Sequence, residues 1–231
     1  MIFHRMQHAI RADISRFFQH PLNLEIYKGT LNKNIFQNFI EQDKIYLKAY
    51  AKVLNHISTR LQRENQKKLF RELSYYISQT ELKLLDKYLA RSPAMRFFSR
   101  NECIKISVET SEYINYLLNL ANDASVEESV AGVIPCFTIY SELGQMMQEK
   151  GVLTSNPYFD WINSYASPKF LAYAKRMAIT ADEIAEDIDI ASQQNMINAY
   201  VKAAHYELLF WDGVYKTATI QQNDLPNRFA G

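Results

Sequence analysis

Glycine, proline, cysteine and tryptophan are all scarce in this 231-residue chain, at 6, 6, 2 and 2 residues. So few glycines argue against a turn-rich all-β fold, and no Gly-x-Gly-x-x-Gly or phosphate-binding loop occurs. Two cysteines, Cys103 and Cys136, stand 33 residues apart and cannot build a disulfide framework or a four-thiolate zinc site. That usage points to a reducing compartment. Charge of one sign is also missing: 26 Lys+Arg against 25 Asp+Glu leave a net charge of +1. Such a chain has no field to hold a polyanion, no local basic patch replaces it, and no nucleic-acid partner is expected. Nor is there a run of about 18 uncharged apolar residues, so no membrane span is expected. The amino-terminal stretch MIFHRMQHAIRADISRFF carries charges among its apolar positions and lacks the uninterrupted apolar stretch of a signal peptide. A cytoplasmic protein is expected.

What the chain does have is apolar and aromatic bulk: 48% hydrophobic residues, with 15 Tyr exceeding 13 Phe. Each buried Tyr hydroxyl needs a partner, so this surplus points to a polar-lined cavity or an extensive interface. Nearly all of the apolar residues recur with a period near 3.6. The pattern predicts helices over about 2–19, 33–58, 60–78, 80–91, 94–121, 126–150, 158–164, 168–188 and 190–217. His20-Pro21, Lys28-Gly29-Thr30, Ser92-Pro93 and Gly151 to Pro157 are the breaks, and a frayed tail is expected after 218. The expectation is a single all-α domain over 1–231, a helical bundle with its core over about 15–217.

The informative positions are polar residues on apolar stripes, because an unpartnered buried charge is costly. Asp43 lies between Phe39/Ile40 and Tyr46/Leu47, and Glu207 between Tyr200/Ala203/Ala204 and Phe210/Trp211/Val214. Either alone is equally well read as a boundary or paired structural carboxylate. Cys136 sits on the stripe Val133, Phe137, Tyr140, Leu143, Met147, directly after Pro135. A lone Cys on an apolar face is ordinarily a small core residue, and Cys103 is read that way. For Cys136 the preceding proline shifts the balance, since it frees the carbonyl of Ala131 and kinks the helix, which can present a thiol to a cavity. Tyr46 and Tyr140 share helix faces with Asp43 and Cys136 respectively.

Metal chemistry finds little support. No Glu-x-x-His, His-Glu-x-x-His or Cys-x-x-Cys occurs. His4 and His8 have ligand spacing, but they read as a solvated face, and His20 before Pro21 is a weak candidate haem ligand.

Taken in order, His20-Pro21, Gly29-Thr30-Leu31, Gln42-Asp43 with Tyr46-Leu47, Tyr113 to Leu117, Pro135-Cys136-Phe137 with Tyr140 and Glu142-Leu143-Gly144, and ELLFWDGVY from Glu207 to Tyr215 resemble the TenA family. This family is also called thiaminase II or aminopyrimidine aminohydrolase, and the likeness is to its cysteine-containing class, over about residues 15–217. It implies a haem-oxygenase-like helical fold without haem or other cofactor, assembled as a homotetramer. It also implies hydrolysis of 4-amino-5-aminomethyl-2-methylpyrimidine to the hydroxymethyl compound and ammonia, in thiamin salvage. Many members split thiamin as well. By the same resemblance Cys136 matches the nucleophile and Glu207 the acid/base, while Asp43 matches the carboxylate on the ring nitrogen and exocyclic amine. Tyr46 matches a hydroxyl set against the thiol, and Tyr113, Tyr140 and Tyr165 match tyrosines that line and bond the substrate.

The residue types suit that chemistry. An ionised carboxylate at Asp43 favours a protonated ring nitrogen, which makes the ring electrophilic. Thiolate addition then lets a poor leaving group depart by elimination. Glu207 needs a raised pKa to deliver a proton near neutrality, and Phe210 and Trp211 supply the desolvation. The chain departs from the family at Lys44, at Leu22 after His-Pro, at Ile106 to Glu112, and at Glu81, which is followed by Leu85 where many members have Glu-x-x-x-His. Two other classes stay open here: a pyrimidine-binding or regulatory protein without turnover, and a metal or haem oxygenase on the same scaffold.

Overall fold

The structure, a computed structural model, describes residues 1–91 and 105–223, with side chains through residue 90 and over 105–216. Cys103 lies outside the described residues. Among them there are eleven α-helices, one π-turn and no strand: α1 (Ile2–Ala9), α2 (Arg11–Gln19), α3 (Pro21–Lys28), α4 (Lys33–Arg60), α5 (Glu64–Tyr76), the π-turn (Ile77–Glu81), α6 (Leu82–Arg91), α7 (Val108–Asp123), α8 (Val126–Glu149), α9 (Phe159–Tyr165), α10 (Pro168–Ala185) and α11 (Ile190–Asn223). The expected all-α class is what the chain adopts.

Helix α8 is the centre. From Ser129 to Ser141 every residue is buried, so this helix is enclosed on all sides, and α11, α10, α9, α7 and α4 pack around it. Its neighbours α4 and α11 bury one face each, and these carry Asp43 and Glu207. Capping begins the helices where short polar residues stand: Asn32 for α4, Ser107 for α7, Ser125 for α8 and Ser167 for α10 each accept a backbone N–H in the first turn.

Four expectations need correction. The helix expected over 2–19 breaks at Ile10, whose carbonyl accepts from both Asp13 and Ile14 N–H. The bend lets α1 pack on α10 and α11 while α2 turns toward α3 and α8, so that Ile2, Met6, Ile10 and Phe17 are all buried. A further helix, α3, fills 21–28: His20 Nδ1 caps it by accepting Leu22 N–H at 3.2 Å, and Pro21 occupies the first position, where a missing N–H costs nothing. Of the helix expected over 94–121, residues 105–107 are not helical, and α7 starts at Val108 behind its Ser107 cap. At the other end α11 runs through Asn223 rather than fraying after 218.

Candidate functional site

One enclosed pocket gathers Asp43, Tyr46 and Leu47 from α4, Glu81 from the π-turn, Tyr113 from α7, Cys136 and Tyr140 from α8, Tyr165 from α9, and Glu207 and Phe210 from α11. All seven residues singled out in the sequence therefore line a single space, and all are buried. The free volume is about 10 Å3, room for one water molecule, so a ring must displace side chains to enter.

Each position has a local cause. On α4, Gln42 next to Asp43 donates to Lys105 O at 3.0 Å and accepts Ser107 N–H at 2.9 Å, which anchors the start of α7 and hence Tyr113. Tyr113 OH donates to Glu207 Oε1 at 2.9 Å. On α8, Tyr50 OH donates to Val133 O at 2.5 Å, just before the Pro135 interruption that precedes Cys136. Tyr165 is set by close approach of α9 to α8 at Gly144, where a Cβ would stand 2.7 Å from Ala166 N and 2.8 Å from Tyr165 C. Rings complete the walls: Tyr46 stacks on Tyr113 at 4.8 Å, Tyr140 packs against Tyr165 at 4.9 Å, and Trp211 Nε1 donates to Tyr140 OH at 2.9 Å.

Electrostatically the pocket is an acid cluster without a cation among its lining residues. Burial pushes Asp43 up to about 7. Glu207 is pushed up to about 8 by burial, against the Tyr113 hydrogen bond that lowers it, with the Asp43 charge adding to the rise. Burial and then the Asp43 charge carry Glu81 well above the carboxylate range. The Cys136 thiol rises too, first through burial and then through Glu207, Glu81 and Asp43. Only Tyr46 pulls it down, from close range, although its hydroxyl makes no well-directed hydrogen bond. Asp43 Oδ2, Tyr46 OH and Glu81 Oε1 are buried without a partner, unused donors and acceptors facing one space. Unmet buried polar atoms of this kind call for a partner, which a bound molecule or a water can supply.

Glu81 is the pocket residue that stripe reading passed over as a functional group. Its signal was present: buried positions at 73, 77, 81, 85 and 89 recur every four residues rather than every 3.6. Leu85, where many relatives of the resembled family have His, is buried one turn further on. Lys44 does not line the pocket and pairs with Asp86 at 2.5 Å, tying α4 to α6. His20 has Nδ1 committed to its cap and Nε2 3.5 Å from Asp212, outside the pocket. His4 and His8 are exposed, and no group of three or more metal-ligating side chains is arranged to hold an ion among the described residues.

Comparison with known proteins places this geometry. A model described as the TENA/THI-4/PQQC family matches residues 6–217. An aminopyrimidine aminohydrolase of Halalkalibacterium halodurans is 27% identical over 199 residues, covering 86% of this chain and 88% of that protein. Among solved structures, a TenA homologue from Pyrococcus furiosus superposes with a TM-score of 0.84 at 23% identity, covering 93% of this chain and 100% of that one. A domain with a heme oxygenase-like fold from Shewanella denitrificans superposes with a TM-score of 0.64 at 14% identity, covering 98% and 97%. These two likenesses speak to the fold, and it is the one expected.

Proposed function

Because the chain belongs to the TENA/THI-4/PQQC family, we propose that it is an aminopyrimidine aminohydrolase, converting 4-amino-5-aminomethyl-2-methylpyrimidine and water to the 5-hydroxymethyl compound and ammonia. The observation that carries this reading is the convergence of a buried thiol, two high-pKa carboxyls and stacked tyrosines on one pocket sized by aromatic walls.

In this mechanism the ring slides between the tyrosines, and Asp43 holds a ring nitrogen and the exocyclic amine. Cys136 Sγ adds to a ring carbon while the thiol proton passes to the Asp43 side, leaving the ring as a protonated, dearomatised adduct. Glu207, protonated at neutral pH, gives its proton to the departing nitrogen, and the C–N bond breaks to release ammonia and leave an exocyclic methylene. Glu207 then takes a proton from water as the oxygen adds to that methylene. Loss of the thiolate breaks the C–S bond and restores the aromatic ring, and the ring-nitrogen proton returns to sulfur to regenerate the thiol. Tyr46 stabilises the thiolate at both ends of the sequence. Thiamin, with its thiazole as leaving group, fits the same steps, and the reaction belongs to thiamin salvage. Cytoplasmic residence in a homotetramer completes the proposal; a free buried thiol is kept reduced there.

The test is to incubate the protein with the aminomethyl pyrimidine and with thiamin, following ammonia and thiazole. Activity that falls more than about 100-fold in Cys136→Ser is expected. An inactive wild type, or full activity in that variant, overturns the covalent route, and binding without turnover would favour a non-catalytic pyrimidine-binding protein.

A further inference from the structure

The third carboxyl of the pocket has no part in those steps. Glu81 is buried, Oε1 has no partner, and it lines the same space as Asp43, Cys136 and Tyr165. Its surroundings locate it within the pocket. Glu81 feels the charge of Asp43 on α4, and its own charge is felt by Tyr50 on α4, Tyr76 on α5, Cys136 on α8 and Tyr165 on α9; Glu207, on α11, feels Asp43 instead. Glu81 therefore sits at the Asp43 end, away from the Glu207 end where the leaving group departs.

Its inward aim is bought by an irregular helix. Residues 73, 77, 81, 85 and 89 are all buried, a spacing of four that an α-helix does not sustain. At about 100° per residue, residue 81 of an unbroken helix would be turned about 80° from residue 73. The π-turn Ile77–Glu81 absorbs that drift and returns Glu81 to the interior. A π-turn weakens a helix and concentrates at functional sites, and here it directs inward an acid that regular geometry would have let reach the boundary.

We propose that Glu81 is a second ring-binding residue, whose undissociated carboxyl donates a hydrogen bond to the ring nitrogen of the aminopyrimidine that Asp43 does not hold. The proposal rests on the pyrimidine reading above. Two carboxyls facing one ring divide the work by protonation state: one ionised, accepting from the protonated nitrogen and amine, and one neutral, donating to the other nitrogen. Mutual repulsion keeps them from ionising together, and burial, with the Asp43 charge behind it, favours the proton on Glu81. The pocket thereby selects a ring with two nitrogens over one with a single nitrogen.

The test uses the hydroxymethyl product, which binds without reacting, and its two pyridine analogues, each with one ring nitrogen replaced by CH. Titration calorimetry at pH 7 is expected to give wild-type affinity about 10-fold or more lower for the analogue that lacks the nitrogen distant from the exocyclic amine. Glu81→Leu is expected to lose that preference by weakening only the pyrimidine, and Glu81→Gln, whose amide still donates, to retain most of it. Folding of both variants is checked by circular dichroism and thermal unfolding. A folded Glu81→Leu that keeps the wild-type preference, or a wild type indifferent to the nitrogen, overturns the proposal. Unchanged kcat/KM in Glu81→Leu with an active wild type overturns it while leaving the hydrolase reading standing. The nitrogen preference without turnover supports the binding role and overturns the hydrolase reading, and no binding of the pyrimidine overturns both.

Discussion

Asp43→Asn should stabilise the empty protein, and by more as pH rises. Burial lifts Asp43 from 3.8 to about 7, so between those values the unfolded chain has released a proton that the folded one keeps. Stability then falls with rising pH, because folding must take that proton back from solvent. The contribution is complete below the unfolded value and is lost as pH climbs through the folded one. Between pH 5 and pH 7.5 the linkage amounts to about 2.5 kcal/mol. An amide at this position has no such linkage. The difference in unfolding free energy between Asp43→Asn and the wild type should therefore grow by about 2.5 kcal/mol from pH 5 to pH 7.5. Taking the difference between two pH values cancels whatever the amide itself does to packing. For a chain of this length 1 kcal/mol moves Tm by about 2–4 °C, so the Tm gap should widen by about 5–10 °C. Urea unfolding of both proteins at both pH values measures it. A gap that is the same at pH 5 and pH 7.5 would refute the claim that Asp43 is kept protonated by burial.

Three further outcomes follow from the same geometry. Tyr113→Phe removes the hydrogen bond that holds Glu207 down, so the limb of the pH–rate profile that reports Glu207 should move to higher pH, read from kcat/KM across pH 6 to about 9. Glu207→Gln should cut ammonia release by about 100-fold or more while leaving product affinity within a few-fold, since it removes the proton donor but keeps the shape. Gly144→Ala forces a Cβ against the backbone of Tyr165 and Ala166, which should cost about 1–3 kcal/mol of stability and raise KM through displacement of Tyr165, measured by thermal unfolding and steady-state kinetics.

The helices were legible because their stripes are strong, and Asp43, Glu207 and Cys136 were legible because polar residues interrupt those stripes. What escaped had weak local signals. Ile10 is an apolar residue with neither glycine nor proline beside it, and the bend there answers to the different partners of α1 and α2. The start of α7 depends on Gln42, 65 residues before Ser107, reaching across from α4. Glu81 stands out in the sequence only as a family position followed by Leu85 in place of histidine, and its burial becomes visible only when spacing of four is allowed. Lys44 reads as a departure from the family beside Asp43, whereas it does not line the pocket and joins Asp86 instead.

Enclosure of α8 on every side also governs the chemical durability of its thiol. Oxidants and electrophiles attack the thiolate, and Cys136 is both covered and held in its protonated form in the empty pocket. The thiol thus idles in a form that peroxide and bulky alkylating reagents reach slowly. In the proposed mechanism, a ring that takes up positive charge reverses the local balance by drawing off the thiol proton. On that mechanism the thiol is armed by the substrate and spared between turnovers.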